Sequence, residues 1–136
     1  MPSLKITHGT WEELQQAAKM IREQVFIQEQ NIAAEDEWDE QDEIAVHFVV
    51  YEQDQAIATA RLLQNHSIGR VAVLKSHRGL GVGKVLMQAV IAYAQQQQHP
   101  FLVLSSQVHA QAFYQALGFM QEGEEYLDCG IPHIHM

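Results

Sequence analysis

No intramolecular disulfide can form in this chain of 136 residues, because Cys129 is its single cysteine. A lone thiol suits a reducing compartment, so a cytoplasmic location is the expectation. Proline is nearly as scarce: Pro2, Pro100 and Pro132 are the three, and no Gly/Ser-rich tract accompanies them. Nothing marks a linker, and one domain over residues 1–136 is expected. There is no run of the roughly 18 apolar residues that a membrane-spanning helix needs. The opening Met1-Pro2-Ser3-Leu4-Lys5 has neither a long apolar stretch nor a small-residue cleavage site, so no secretory leader is expected. Basic residues are few, eight Lys and Arg against 17 Asp and Glu, for a formal charge of −9. Nucleic-acid binding draws its affinity from basic side chains on phosphates, and this balance argues against it. Repeats are missing as well.

What is present is enough apolar residue, 47%, to build a core. The charge is unevenly placed. Seven acids fall between Glu35 and Glu43, and four of the eight basic residues between Arg70 and Lys84. A basic island in an acidic chain suits the docking of one small anion. The acidic run reads first as a solvated loop. Its sharper reading is a patch that concentrates cations, such as a positively charged acceptor.

The apolar periodicity predicts a mixed α/β fold. Leu4 to Thr7 reads as a strand, and Thr10 with Glu13 forms a capping box for a helix with Trp11, Leu14, Ala18, Ile21 and Val25 on one stripe. That helix should break or bend before Asn31. Strands are expected at Ile44–Tyr51, Ala56–Leu63 and Ile68–Leu74. A helix from Val82 follows a glycine turn, then a buried strand from Phe101, so strand, turn, helix and strand make a crossover between parallel strands. A short helix, Ala110–Leu117, stops at Gly118. Two last strands are placed at Phe119–Glu122 and Tyr126–Ile134. The sum is one mixed, mostly antiparallel sheet of six to seven strands, with a central parallel pair and helices on both faces.

The strongest chemical signal is Arg78-Gly79-Leu80-Gly81-Val82-Gly83-Lys84. Glycines let an anion approach the backbone amides, and the following helix N-terminus aims free N–H groups at it. Lys75, Arg78 and Lys84 add charge, so a phosphate or pyrophosphate is the natural ligand. A Walker loop fails, because Arg78 stands in its first glycine position and Val85 in its Ser/Thr position. A dinucleotide fingerprint fails too, with Lys84 or Leu86 in place of its third glycine. A plain connecting turn is the bland alternative.

Arg-x-x-Gly-x-Gly resembles the acyl-CoA pyrophosphate loop of the GNAT superfamily of N-acetyltransferases. The segment Ala110-x-x-Phe113-Tyr114-x-x-Leu117-Gly118-Phe119 is similar to the family's second signature. Val25-Phe26-Ile27-x-Glu29-Gln30, Ile68–Val73 and the tail Gly130-Ile131-Pro132-His133-x-x-Met136 resemble one branch, the ElaA/YjcF type. The resemblance covers nearly the whole chain. It implies acetyl-CoA as cofactor, with the backbone of Val71, Ala72 and Val73 pairing with the pantetheine arm and the amides from Gly79 through Leu80, Gly81, Val82 and Gly83 to Lys84 holding the pyrophosphate beside Arg78. It also implies splayed parallel strands at Ile68–Leu74 and Phe101–Ser105. Gln107 stands where many relatives carry an asparagine against the cofactor arm, and its side chain is one methylene longer.

By the same resemblance Tyr114 protonates the departing thiolate; its unperturbed phenol, titrating near ~10, is protonated at neutral pH. Packing of a short helix is the alternative for Tyr114, and Phe113 is assigned to the core. The proton of the attacking amine needs an acceptor, and the sequence leaves this open between His47, Glu29 in the acceptor-pocket region around Phe26, and an ordered water. A satisfied core histidine is the bland reading of His47. Cys129-x-x-x-His133-x-His135 carries a faint zinc pattern without an evident fourth ligand, and no metal site is assigned. Trp11 belongs to the helix stripe; Trp38 either anchors the acidic run or touches substrate. The resulting expectation is transfer of acetyl from acetyl-CoA to a primary amine, on a small molecule or peptide, by direct attack in a ternary complex. The alternative is a non-catalytic acyl-CoA-binding sensor. The acceptor is not legible, no nucleic acid or membrane partner is expected, and a homodimer is allowed as the commonest assembly.

Overall fold

The computed structural model describes residues 3–136; Met1 and Pro2, part of the segment read for a leader, lie outside the described residues. Strand β1 (Leu4–Gly9) leads into α1 (Trp11–Arg22), and a π-helical turn continues it from Glu23 to Glu29. A short α2 (Ala34–Glu37) and a 3₁₀ turn (Glu40–Glu43) precede β2 (Val46–Glu52), β3 (Gln55–Leu62) and β4 (Ser67–Val73). Then come α3 (Val82–Gln96), β5 (Val103–Gln107), α4 (Gln111–Ala116), β6 (Glu122–Asp128) and β7 (Ile131–His135). The capping box forms as expected: Glu13 N–H donates to Thr10 Oγ1 at 3.2 Å, and Thr10 N–H to Glu13 Oε1 at 2.9 Å. Among the described residues no helix is long and apolar enough to cross a membrane.

The seven strands form one sheet in the order β1-β2-β3-β4-β5-β7-β6, antiparallel except where β4 meets β5. Only Ser67–Val103 and Ile68–Leu104 pair across that parallel step, after which the two strands part. Two apolar layers flank the sheet. Phe48, Val50, Ile68, Leu104 and Ile134 pack with Leu86, Met87 and Val90 of α3, while Val49, Ala72 and Leu74 pack with Leu14, Ile21 and Val25 on the α1 side. Strand β2 is therefore apolar on both alternating sets because it feeds both layers.

Most boundaries fall within a residue or two of expectation, and the larger differences lie in the second half of the sheet. The strand after α3 begins at Val103, not Phe101; Phe101 is 57% exposed and packs edge-on against His66 in the β3–β4 turn, 4.7 Å between centroids. The splayed pair is thus Ser67–Val73 and Val103–Gln107. The last two strands are also shifted, because the chain reverses at Cys129 and Gly130, both at positive φ as a tight two-residue hairpin turn requires. A strand drawn through Tyr126–Ile134 runs across that turn.

The acidic run is not simply a solvated loop. Glu35, Asp36, Glu40 and Glu43 are exposed, but Glu37 and Asp42 are each only 2% exposed, and both meet Arg22, which is 1% exposed. Arg22 donates through Nε to Glu37 Oε2 and through Nη1 to Asp42 Oδ1, both at 2.7 Å. Arg61 bonds Asp42 at 2.9 Å and Asp39 at 2.6 Å. The Arg22 guanidinium lies between Trp11 and Trp38, 5.5 and 5.1 Å from their ring centroids, so Trp38 anchors the segment. The correction has a simple cause: the compensating arginines come from α1, β3 and β4, and a local charge count cannot see them.

His47 lies against this network, fully buried on β2, with Nε2 donating to the Asp42 carbonyl at 2.8 Å and Nδ1 without a partner. Burial pushes its pKa below the ordinary value, against the pull of Asp42. A histidine held neutral in the folded state takes up its proton more readily when unfolded, so stability is present above about pH 6.5 and is lost as pH falls toward the lowered value. The thermal midpoint should drop on acidification below about pH 6.5, and less so for His47→Gln. Equal slopes for the two proteins would rule His47 out as the cause.

Candidate active site

Strand β4 reaches the parting of the sheet with a bulge. Thr59 pairs with Ala72 and Arg61 with Gly69, so Arg70 and Val71 together oppose Ala60. Arg70 has φ +50, a left-handed conformation uncommon for a side-chain-bearing residue. Its Nη2 is tied to the Glu37 carbonyl at 3.1 Å and to Asp39 Oδ2 at 3.2 Å. Burial opposes ionisation of Asp39, yet Arg61 and Arg70 prevail and hold its carboxyl below the usual range. The acidic segment therefore braces β4 at the place where β5 leaves it.

Past the bulge, the Val73 carbonyl points away from β3 and accepts Nε of Arg78 at 2.9 Å. The Arg78 fork is filled by Glu29 from the π-helical turn, Nη2 to Oε1 at 2.7 Å and Nη1 to Oε2 alongside it. This ion pair holds the Glu29 carboxyl below the usual range and raises Arg78 further. The two residues, read from sequence as parts of separate subsites, meet across the mouth of the opening.

The glycine loop leads from β4 into α3. Gly79 and Gly81 have φ of +77 and +84, and a Cβ on either would meet nothing within 4 Å. The space above them is open, and a side chain there would be strained by the backbone alone. Gly81 caps α3 without any side-chain bond, and Val85 N–H to Gly81 O at 3.1 Å is the helix's first turn. The amides of Val82, Gly83 and Lys84 thus have no helical acceptor. Leu80, Lys75, Arg78 and Lys84 are exposed around them. Gly83 is different. A Cβ there would come within 3.3 Å of the Phe113 ring, so its smallness serves packing. Phe113 is not a core residue as expected: it is 36% exposed, wedged over Gly83 and Val73.

Tyr114, on α4, is buried in the same cluster as Ile68 and Leu104, the last pair before the strands part. Phe113 and Phe119 meet its ring edge-on at 5.0 and 6.1 Å. Burial pushes its pKa up to about 12. On the other side of the opening Gln107 exchanges two amide hydrogen bonds with Gln30, at 3.2 and 2.9 Å, tying β5 to the end of the π-helical turn. Phe26 is buried in the α1-side layer with Ala72 of β4 and Leu74 just past its end.

His47 is not brought to this opening. It lies on β2, two strands from β4, sealed beneath Trp11 at 4.8 Å. Cys129 is exposed in the β6–β7 turn, and no group of three or more His, Cys, Asp and Glu side chains among the described residues is placed to hold a metal. The sequence assigns no role to Gln30, which closes the Val25–Gln30 motif, or to Tyr126, which lies on β6 over His133 and His135.

A sheet opened at one parallel step, with an uncapped glycine-entered helix at its mouth, leaves a slot ending in free backbone amides that suits a long ligand with an anionic end. The chain belongs to the GNAT acetyltransferases: residues 11–136 match the family described as the acetyltransferase (GNAT) domain. Among its relatives is YjcF of Bacillus subtilis, described as an uncharacterized N-acetyltransferase, 38% identical over 129 residues that cover 92% of each chain. ElaA of Escherichia coli is 34% identical over 88% of this chain and 84% of its own. The crystal structure of ElaA superposes with a TM-score of 0.87 at 31% identity, covering 96% of both chains. That of an acyl-CoA N-acyltransferase from Pseudomonas aeruginosa gives 0.88 at 32% identity, covering 98% of both.

Proposed function

We propose that this chain, as one domain, moves an acetyl group from acetyl-CoA to a primary amine by direct attack in a ternary complex. The observation that carries this reading is the pair of left-handed glycines, Gly79 and Gly81, with open space above them at the bare N-terminus of α3. The pyrophosphate would lie there, held by the amides from Gly79 to Lys84. Val71, Ala72 and Val73 would offer the strand edge to the pantetheine arm, with the thioester near the bulge and Tyr114 beneath it. Arg78 is an anion fork that already holds a carboxylate. Binding a pyrophosphate through Nη1 and Nη2 would displace Glu29 and free its carboxylate, while Nε can stay on the Val73 carbonyl. The Gln30–Gln107 bridge would border the arm on the β5 side.

Tyr114 then acts in a particular way. A phenol raised to about 12 by burial stays protonated at neutral pH, so it can only donate toward the departing sulfur. Its contribution is a hydrogen bond donated as negative charge gathers on sulfur.

Titration calorimetry with acetyl-CoA tests the reading, with Gly81→Trp as control. Tryptophan at φ +84 both strains the loop and fills the open space. The wild type should bind and the variant should lose at least about a hundredfold in affinity, the order expected when several charge-assisted bonds are lost together. No binding by the wild type would overturn the cofactor assignment. Binding without turnover on any amine would point to a sensor.

A further inference from the structure

Strands β5 and β7 differ from the rest of the sheet in carrying helices on one face only, and β6 follows them as the sheet's exposed edge. Leu104, Ile134 and Met136 pack with Tyr114 and α3, whereas none of these strands contributes to the α1-side core. On the opposite face the register sets Ser105, His135 and Glu122 in one row and Gln107, His133 and Tyr126 in the next. The Tyr126 ring is stacked on His135, centroids 4.6 Å apart, and lies 6.0 Å from His133. Its hydroxyl meets Ser105 Oγ. His133 Nδ1 is 2.7 Å from the Ile131 carbonyl. A carbonyl only accepts, so Nδ1 carries the proton, and in the neutral ring Nε2 keeps the lone pair. This face borders the opening, because Gln107, the cross-strand neighbour of His133, is the residue that bridges to Gln30.

We propose that this face seats the acceptor and that His133 Nε2 takes the proton of the attacking amine, an inference that rests on the acetyl-transfer reading above. The acceptor class is a primary amine on a flat, apolar or aromatic skeleton, which would lie on the Tyr126–His135 stack. As the amine nitrogen forms its bond to the thioester carbonyl carbon, His133 Nε2 accepts an N–H proton and the C–S bond breaks. The electron pair of that bond leaves on sulfur, toward Tyr114 on the helix-covered side. His133 returns its proton to solvent and the thiolate gains one, leaving amide and free thiol. The Ile131 hydrogen bond fixes the tautomer this requires.

The test uses acetyl-CoA with benzylamine as acceptor and follows thiol release. His133→Asn can still donate to the Ile131 carbonyl, which preserves the hairpin, but lacks the base. It should lower kcat about a hundredfold with acetyl-CoA affinity unchanged. Added imidazole should restore part of the activity of His133→Ala and none of that of His135→Ala, a rescue that a purely structural histidine would not show. Wild-type kcat in His133→Asn would overturn the proposal. If the wild type binds acetyl-CoA but does not turn over benzylamine, peptide-resolved carbethoxylation by diethyl pyrocarbonate in the CoA complex decides: slowing at His133 by benzylamine supports the site, and equal reactivity overturns it. Failure of the wild type to bind acetyl-CoA would instead remove the underlying reading.

Discussion

Arg22→Ala should lower the free energy of unfolding by roughly 3–5 kcal/mol, read as a fall in the urea midpoint at unchanged slope. That is a large share of the roughly 5–15 kcal/mol that holds a domain together. Arg22 is 1% exposed, and its guanidinium donates to Glu37 Oε2, to the Glu37 carbonyl and to both Asp42 oxygens. Removing it leaves two carboxylates, each 2% exposed, short of their nearest cation. It also leaves a gap between Trp11 and Trp38. Asp39→Asn is the informative contrast. The Asp39 side chain is 32% exposed at the edge of the same network, so its loss should cost at most about 1 kcal/mol. If both variants fell equally, burial would not be what sets the effect.

The network also titrates in two directions. Burial pushes the Glu37 carboxyl up, against the pull of Arg70 and Arg22, so its contribution is present in acid and is lost as pH rises through the folded value. Asp39 is held down, so its contribution is present above the ordinary carboxylate range and is lost as pH falls. Glu37 acts above the ordinary glutamate range and Asp39 below the ordinary aspartate range, so the two do not share a window. Glu37 opposes His47 on the way down from neutrality, and the comparison of wild type with His47→Gln isolates the histidine.

Much of this architecture is legible in the sequence where local physics decides it. Thr10 and Glu13 announce the start of α1, Gly118 stops α4 at φ +101, and the alternating glycines mark the entry to α3. What is not legible depends on partners far away in the chain. The acids at Glu37, Asp39 and Asp42 look solvated until Arg22, Arg61 and Arg70 arrive from three other elements. His47 has the chemistry of a base, yet its place under Trp11 closes it off, and nothing in a run of apolar neighbours says which strand edge faces the opening. Glu29 and Arg78 are 49 residues apart, so their pairing belongs to the fold alone. His133 and His135 are visible as a pattern, but alternation along β7 shows only that they share a face. That the face is uncovered follows from α1 packing on β2, β3 and β4, a fact of tertiary arrangement.

Replacing Tyr114 with phenylalanine separates catalysis from folding in this framework. The ring is 8% exposed and packs with Phe113 and Phe119, contacts that phenylalanine keeps, so the unfolding midpoint should hardly move. Acetyl-CoA affinity should also persist, because the loop amides and Arg78 are untouched. Turnover should fall by about a hundredfold, the scale for removing one donor aimed at developing charge. A phenol at about 12 stays protonated throughout the working range, so the wild type should show no alkaline loss of kcat traceable to this group. Steady-state kinetics on both proteins, paired with calorimetry, reads these quantities separately. A Tyr114→Phe enzyme with wild-type kcat would mean that sulfur leaves unaided or is met by a donor on the open face. The burial of Tyr114 beside Ile68 and Leu104 would then be packing alone, and the asymmetry between a helix-covered leaving side and an uncovered attacking side would lose its chemical meaning.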